Sequence, residues 1–334
     1  MHILISGGCG FLGIRLAKAL LQSGSLCING ALQPIERLVL TDLVPPPAEL
    51  LKDERVQFIG GNLRTLLAHD KAMLSDIQVI FHLAAAVSGE CEANFDLGMS
   101  SNLDTTRDLL EACRASQHLL TVVFASSVAV FSCRPGQSWN GVIVDDDTLP
   151  TPQSSYGIQK YIGEQLMADF GRKGFIRART VRLMTVSVRP GKPNGAASGF
   201  LSGMIREPLA GIRAIVPVAA ETPVALSSPN RTIEGLIKAA EASDTAWGFL
   251  TAMNLPSVQV TVGEMAMALQ RLAGKQTADY LEWKIDPAIV KIVNSWPGEI
   301  ACSRASQLGL TPDPSFDNIV QQYINENPAA IHRH

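Results

Sequence analysis

The sequence predicts an α/β fold built on a doubly wound parallel sheet, and three observations lead there. Short apolar, β-branched-rich runs alternate with helical patterns through the first half of the 334 residues. The first of these runs, Ile3–Leu4–Ile5, ends in the stretch Gly7–Gly8–Cys9–Gly10, with a further glycine at Gly13. That stretch opens directly on Ile14–Arg15–Leu16–Ala17–Lys18–Ala19–Leu20–Leu21, a helical pattern. Runs that are apolar at every position fit strands buried on both faces, which right-handed βαβ crossovers produce.

In chain order the expected strands are Ile3–Ile5, Leu38–Thr41, Gln57–Ile59, Val79–His82, Leu120–Ala125 and Ala178–Leu183. The polar stretch Ser23–Arg37, which contains Gly and Pro, reads as a lengthened loop before the second strand. After Met184 the pattern changes to Gly- and Pro-rich segments, among them Arg189–Pro190–Gly191–Lys192–Pro193–Asn194. A smaller α+β lobe is expected there. One helix is well marked: Thr261 and Glu264 fit a capping box, and Met265, Leu269 and Leu272 repeat at helical spacing. The expected division is residues 1–183 for a dinucleotide-binding domain that also carries the catalytic residues, and 184–334 mainly for substrate. Segments near Ile215–Val218 or Phe249–Asn254 are candidates to return to the main sheet.

Charged residues make up 18% of the chain and the net charge is −3, with Lys and Arg scattered, so no basic face points to nucleic acid. The six cysteines are widely spread, with no C-x-x-C pair and no histidine at metal-ligand spacing. They read as reduced thiols, and no metal is expected. No run approaches the length of a membrane span, so the expected compartment is the cytoplasm.

A strand that feeds a helix through glycines leaves unpaired amides and a positive dipole end for a pyrophosphate. The spacing here is G-x-x-G-x-x-G, and Gly7, Gly10, Phe11, Leu12 and Gly13 are the candidates to hold one. A tight βα turn without a ligand would use the same glycines. Asp42 ends the second expected strand, where a carboxylate accepts hydrogen bonds from an adenosine ribose and repels a 2′-phosphate, favouring NAD over NADP. Asn62 and Leu63 follow Gly61 where an adenine would lie, and Leu83, Ala84 and Ala85 are small enough to pass beneath a cofactor. His82 reads as a packed, hydrogen-bonded histidine.

The sharper signal is Tyr156–Gly157–Ile158–Gln159–Lys160. Tyr and Lys four apart share a helix face, so the ammonium is expected to favour the phenolate and make a general base near neutral pH. Upstream, Ser126 and Ser127 end an apolar strand, where a hydroxyl can hold a substrate oxygen. With these residues in this order, the chain resembles the extended short-chain dehydrogenases/reductases, the family that includes nucleotide-sugar epimerases and dehydratases, over nearly its whole length. The resemblance implies a catalytic Ser127, a base at Tyr156, and a Lys160 that also binds the nicotinamide ribose, with Tyr156 beside the cofactor. It further implies that Asn102 supports the site and that the protein is a homodimer. Met184 departs from the pattern, because family sequences often carry proline there, close to the nicotinamide carboxamide.

Within the family, the stretches around Ser88–Glu90, Phe95–Gly98, Ser187–Asn194 and Ile205–Leu209 resemble NAD-dependent dehydrogenases that oxidise a four-carbon sugar acid, D-erythronate, at C2. The candidate substrate residues are Ser88, Ser127, Tyr156, Arg189, Lys192 and Asn194. Two other functions share parts of the pattern. A nucleotide-sugar epimerase would use the same triad with NAD retained, and Arg206, Arg213 and Arg231 could meet a diphosphate, although no arginine precedes Pro297–Gly298. A non-catalytic NAD sensor would have no need of a phenolate.

Overall fold

The computed structural model describes residues 1–334 other than 117, 135, 140, 192–197, 249–250 and 333–334. The first apolar run forms β1 (His2–Ser6), and the pattern after the glycines forms α1 (Phe11–Ser23). The segment expected as a loop folds instead into a hairpin, β2 (Ser25–Ile28) paired antiparallel with β3 (Ala31–Pro34). Its turn is Asn29–Gly30, with φ of 54° and 77°, the paired positive φ whose twist suits a two-residue hairpin.

The chain continues through β4 (Arg37–Asp42), β5 (Val56–Gly60), α2 (Leu63–His69), β6 (Val79–His82), α3 (Ser88–Ala93), α4 (Phe95–Gly98) and α5 (Thr105–Ala115). Then come β7 (Leu120–Ser127), α6 (Ser155–Arg172), β8 (Ile176–Leu183) and a short β9 (Thr185–Val186). The described residues form a seven-stranded sheet in which β1, β4, β5, β6, β7 and β8 are joined by a strand from the second half. All its pairs are parallel. Side chains alternate between two cores, with Ile3, Ile5 and Phe81 on one face and Leu4, Ile80 and Val122 on the other. Both faces are therefore buried, which explains runs that are apolar throughout. The strand order runs outward in opposite directions from β1 and β6, which lie side by side, and a crevice opens at such a switch point beyond the carboxyl ends of the strands.

The second half contributes α7 (Gly199–Leu209), β10 (Ala214–Val216), β11 (Pro223–Ser227), α8 (Pro229–Glu241), β12 (Met253–Asn254), β13 (Val258–Thr261) and β14 (Leu281–Trp283). The strand β12 pairs with β8 at the edge of the large sheet, and α8 packs on β7 and β8. The segment at 214–216 pairs with β14 instead. A separate core gathers Leu201, Met204, Leu226, Met265, Leu269 and Phe316. The capping box holds: Thr261 Oγ1 accepts from Glu264 N at 3.2 Å and Glu264 accepts from Thr261 N at 2.6 Å, ahead of a helix over Val262–Ala273. Among the described residues no helix is long and apolar enough to cross a membrane.

Candidate active site

A cleft of about 330 Å³ opens at the carboxyl ends of β1, β6 and β7. The glycine turn forms one wall. Gly7 has φ +68°, and a Cβ there would lie 2.7 Å from Ala84 N; at Gly13 it would lie 2.2 Å from Gly7 O. Neither position admits a side chain, because the turn is pressed against the loop after β6 and against the first turn of α1. Gly10 caps α1 with no side-chain hydrogen bond, so the amides of Phe11, Leu12 and Gly13 at the start of the helix are without a side-chain cap. Gly7, Gly10, Phe11, Leu12 and Gly13 all line the cleft, as do Leu83 and Ala85. A backbone cradle at a helix start suits the pyrophosphate of NAD.

Asp42 stands directly behind this turn. Its Oδ2 accepts from Cys9 N at 3.0 Å and its Oδ1 from Leu43 N at 2.7 Å, so the carboxylate also fixes the turn's shape. Ala84 backs Gly7 from outside the cleft. Asn62 caps α2, accepting from Arg64 N at 3.0 Å, while Leu63 is buried in the core; neither reaches the cleft. Asn102 is buried and bonded to protein: its Oδ1 accepts from Ala86 N at 2.8 Å and its Nδ2 donates to Gln159 Oε1 at 2.9 Å. It ties the loop after β6 to α6 rather than facing the opening. His82 is the packed histidine expected, with Nδ1 2.6 Å from Ser6 Oγ and Nε2 3.0 Å from Thr106 Oγ1. Burial pushes it down to about 3, leaving the ring neutral.

Ser127, at the end of β7, and Tyr156 and Lys160, on α6, meet in the cleft. Gly157 allows that approach, since a Cβ there would lie 2.4 Å from Ala129 O. Ser127 Oγ accepts from Ala129 N at 3.1 Å. Lys160 Nζ donates to Ala125 O at 2.8 Å and lies 5.8 Å from the centre of the Tyr156 ring. The expected lowering of the phenol by this lysine is not what the structure gives. Burial pushes Tyr156 up to about 12, against a hydrogen bond from Ser127 and the charge of Arg189, both of which pull it down. Lys160 is itself pushed down to about 8 by burial, with Cys91 and Glu164 raising it. The ammonium is held on the strand carbonyl, and Arg189 is a further cation close enough to pull the phenol down.

Arg189 lines the cleft, with its backbone held on both sides: Arg189 N donates to Ser202 Oγ at 3.0 Å, and Arg206 Nη1 donates to Arg189 O at 2.7 Å. Its guanidinium donates to Ser198 Oγ at 3.4 Å. Burial lowers its pKa first, Arg206 lowers it further, and Tyr156 raises it. Among the described residues no carboxylate pairs with it. Ser88 also lines the cleft; Lys192 and Asn194 lie outside the described residues.

A sequence profile of the NAD dependent epimerase/dehydratase family matches residues 3–223. The chain belongs to that family. It is similar to D-erythronate dehydrogenase from Cupriavidus necator, 46% identical over 98% of this chain and 98% of the relative. A second D-erythronate dehydrogenase, from Haemophilus influenzae, is 39% identical over 97% of this chain and 99% of the relative. Among solved structures, the nucleoside-diphosphate-sugar epimerase from Agrobacterium tumefaciens superposes with a TM-score of 0.89 at 35% identity, covering 99% of this chain and 95% of that one. Within the family this chain is an NAD-dependent dehydrogenase, and its cofactor is NAD.

Other residues reach the cleft from places that no local spacing marks. Met184 is buried in its wall, and Ser198 and Trp296 line it from the second half. Two of the three arginines considered for a diphosphate are engaged elsewhere, Arg206 with Glu207 and the Arg189 carbonyl and Arg231 with Glu234, and the third, Arg213, is exposed away from the cleft lining. Beneath the cleft, Glu164 is buried between Ser126 Oγ at 2.5 Å and the Arg182 guanidinium at 2.8 Å. Glu164 sits one helical turn after Lys160, a spacing visible in the sequence once Tyr156–Lys160 is taken as helical.

Proposed function

We propose that this dehydrogenase oxidises a small sugar acid, D-erythronate foremost, at its C2 hydroxyl to the 2-oxo acid. The observation that carries this reading is Arg189, a half-buried cation that lines the cleft with Tyr156 and has no carboxylate partner among the described residues. A partly desolvated charge without a counter-ion favours an anion, and the carboxylate of a 2-hydroxy acid would supply it while setting C2 next to the phenol. The two D-erythronate dehydrogenases support the choice of acid.

In this reading Arg189 holds the carboxylate and Ser127 holds the C2 oxygen as it becomes a carbonyl. Tyr156 takes the hydroxyl proton. NAD, when bound, accepts the hydrogen of C2 with its electron pair. Lys160 keeps a positive charge under the nicotinamide ribose, Asp42 takes the adenosine ribose, and Ser88, Lys192 and Asn194 meet the remaining hydroxyls. Residues 1–183 would serve mainly NAD and 184–334 mainly the acid, with β12 and α8 attached to the first part.

A nucleotide-sugar epimerase reading draws on the Agrobacterium structure, but Arg206 and Arg231 are already paired. Incubation of the enzyme with NAD and a panel of four-carbon sugar acids, other hydroxy acids and UDP-sugars decides between them. NADH formed in step with loss of two hydrogens from D-erythronate supports the dehydrogenase. A UDP-hexose converted at unchanged mass would replace it.

The chain is also proposed to act as a cytoplasmic homodimer. Phe95 and Leu97 of α4 and Ile158 and Ile162 of α6 are exposed apolar side chains on two helices packed together. Light scattering on a sizing column should give twice the chain mass, and Ile158→Lys with Ile162→Lys should give the monomer.

A further inference from the structure

Trp296 holds an unusual position among the clefts of this molecule. It lines the active cleft, and it also lines a second cleft of about 730 Å³ bounded by Arg134, Gln153 and Lys291. It further lines a small void of about 10 Å³ against Val224 and Val293. Among the described residues no other lines all three. Of the described residues, the active cleft and the second cleft share only Ser88, Ala129 and Trp296. Two of these have small side chains, so the bulk of the partition is the indole.

The partition is anchored. Ser295 O, immediately before the indole, accepts from Cys133 N at 2.9 Å and from Trp139 Nε1 at 2.9 Å. Trp296 N donates to Val293 O at 3.1 Å, at the end of the helix over Pro287–Val293. On the other side, Pro297 and Gly298 are buried, and a Cβ at Gly298 would lie 2.5 Å from Pro223 Cβ. The indole itself packs against the core of the second half, so an anchored backbone and a packed ring together make it a wall of the cleft.

We propose that Trp296 is the residue that sets the chain length of the acid. The inference rests on the sugar-acid reading above. Arg189 and Tyr156 fix the carboxylate end and C2, and the glycine turn takes the cofactor. The remaining carbons run toward Ser88, Ala129 and Trp296, where the indole stops a chain longer than four carbons. Beyond it, the second cleft offers room and two cations, Arg134 and Lys291, with polar side chains of Gln137, Gln153 and Asn294. Replacing the indole by a methyl group joins the two clefts.

The test compares kcat/KM for four-, five- and six-carbon aldonic acids in the wild type and in Trp296→Ala, Trp296→Leu and Trp296→Phe, with melting temperatures measured on each. One methylene against a closed wall changes kcat/KM by about 10–200-fold. Trp296→Ala should therefore raise the ratio of six- to four-carbon kcat/KM at least about tenfold, chiefly through KM. Trp296→Leu should fall between, and Trp296→Phe should keep the wild-type profile. An unchanged length profile in Trp296→Ala and Trp296→Leu, both folded and active on the four-carbon acid, overturns the role of Trp296 and leaves the sugar-acid reading standing. A wild type that oxidises no hydroxy acid of any length overturns both.

Discussion

Two arginines seven residues apart on one segment, Arg182 buried and Arg189 half-buried, occupy regions built for opposite purposes. Arg182, under the cleft, is saturated: its guanidinium meets both Glu164 oxygens at 2.8 and 2.9 Å, with Asn254 Oδ1 at 3.4 Å, and stacks 4.6 Å from the Phe131 ring. Arg189, in the cleft, has Ser198 Oγ at 3.4 Å and the Tyr156 phenol nearby, but no carboxylate among the described residues. The first region fixes where β7, β8 and α6 stand relative to one another, and so fixes Ser127, Tyr156 and Lys160. The second leaves a charge for something the chain does not supply. A buried charge whose partners are complete is scaffold, and a cleft charge without a carboxylate is a candidate ligand contact.

The largest expected effect lies where the incomplete region does its chemistry. Tyr156→Phe keeps the ring and removes the proton acceptor, so kcat should fall by about 10²–10⁴ while NAD binding and the melting temperature stay at wild-type values. Because burial pushes this phenol up to about 12, it carries its proton at neutral pH, and oxidation by the wild type should accelerate as pH rises through the alkaline range. A flat pH–rate profile, or near-normal turnover in a folded Tyr156→Phe protein, would remove Tyr156 from the base role.

Glu164→Ala tests the saturated region. It strands the Arg182 charge, and breaking a buried pair in this way costs about 3–5 kcal/mol, read as a lowered urea midpoint. Arg189→Met should show the reverse pattern: unchanged or improved stability, with kcat/KM for the acid reduced about 10–100-fold. That loss corresponds to one charged hydrogen-bonding contact of roughly 1.5–3 kcal/mol. If Arg189→Met instead destabilised the fold as much as Glu164→Ala, the contrast between the two arginines would collapse. The smallest effect is expected at Asp42. Asp42→Ala should raise the KM for NAD by an order of magnitude or less and narrow the preference over NADP, measured by steady-state kinetics with both cofactors.

The cofactor side of the cleft was legible because backbone constraint writes itself into local spacing. Gly7 and Gly13 are glycines for want of space, Asp42 ends a strand, and Tyr156 and Lys160 are one helical turn apart. The hairpin over Ser25–Pro34 was missed although Asn29–Gly30 announces it, because each strand is only four residues long and the second ends in Pro34, which reads as a breaker. Arg206, which could serve a diphosphate under the epimerase alternative, braces the Arg189 carbonyl. Trp296 reaches the cleft from far along the chain. Such contacts arise from tertiary packing, which no periodicity encodes.

The edge strand β12 imposes an order on synthesis. Its partner β8 emerges long before Met253 and Asn254, and at ~5–20 residues per second the outer edge of β8 waits on the order of several seconds for its neighbour. An unpaired edge is a template for association with another chain. The strand β8 carries Arg177, Arg179 and Arg182, charges that discourage such pairing while the edge is bare. Once the later segment arrives, Arg177 and Arg179 close on Asp244, so residues that guard the nascent edge become the rivets of the finished sheet.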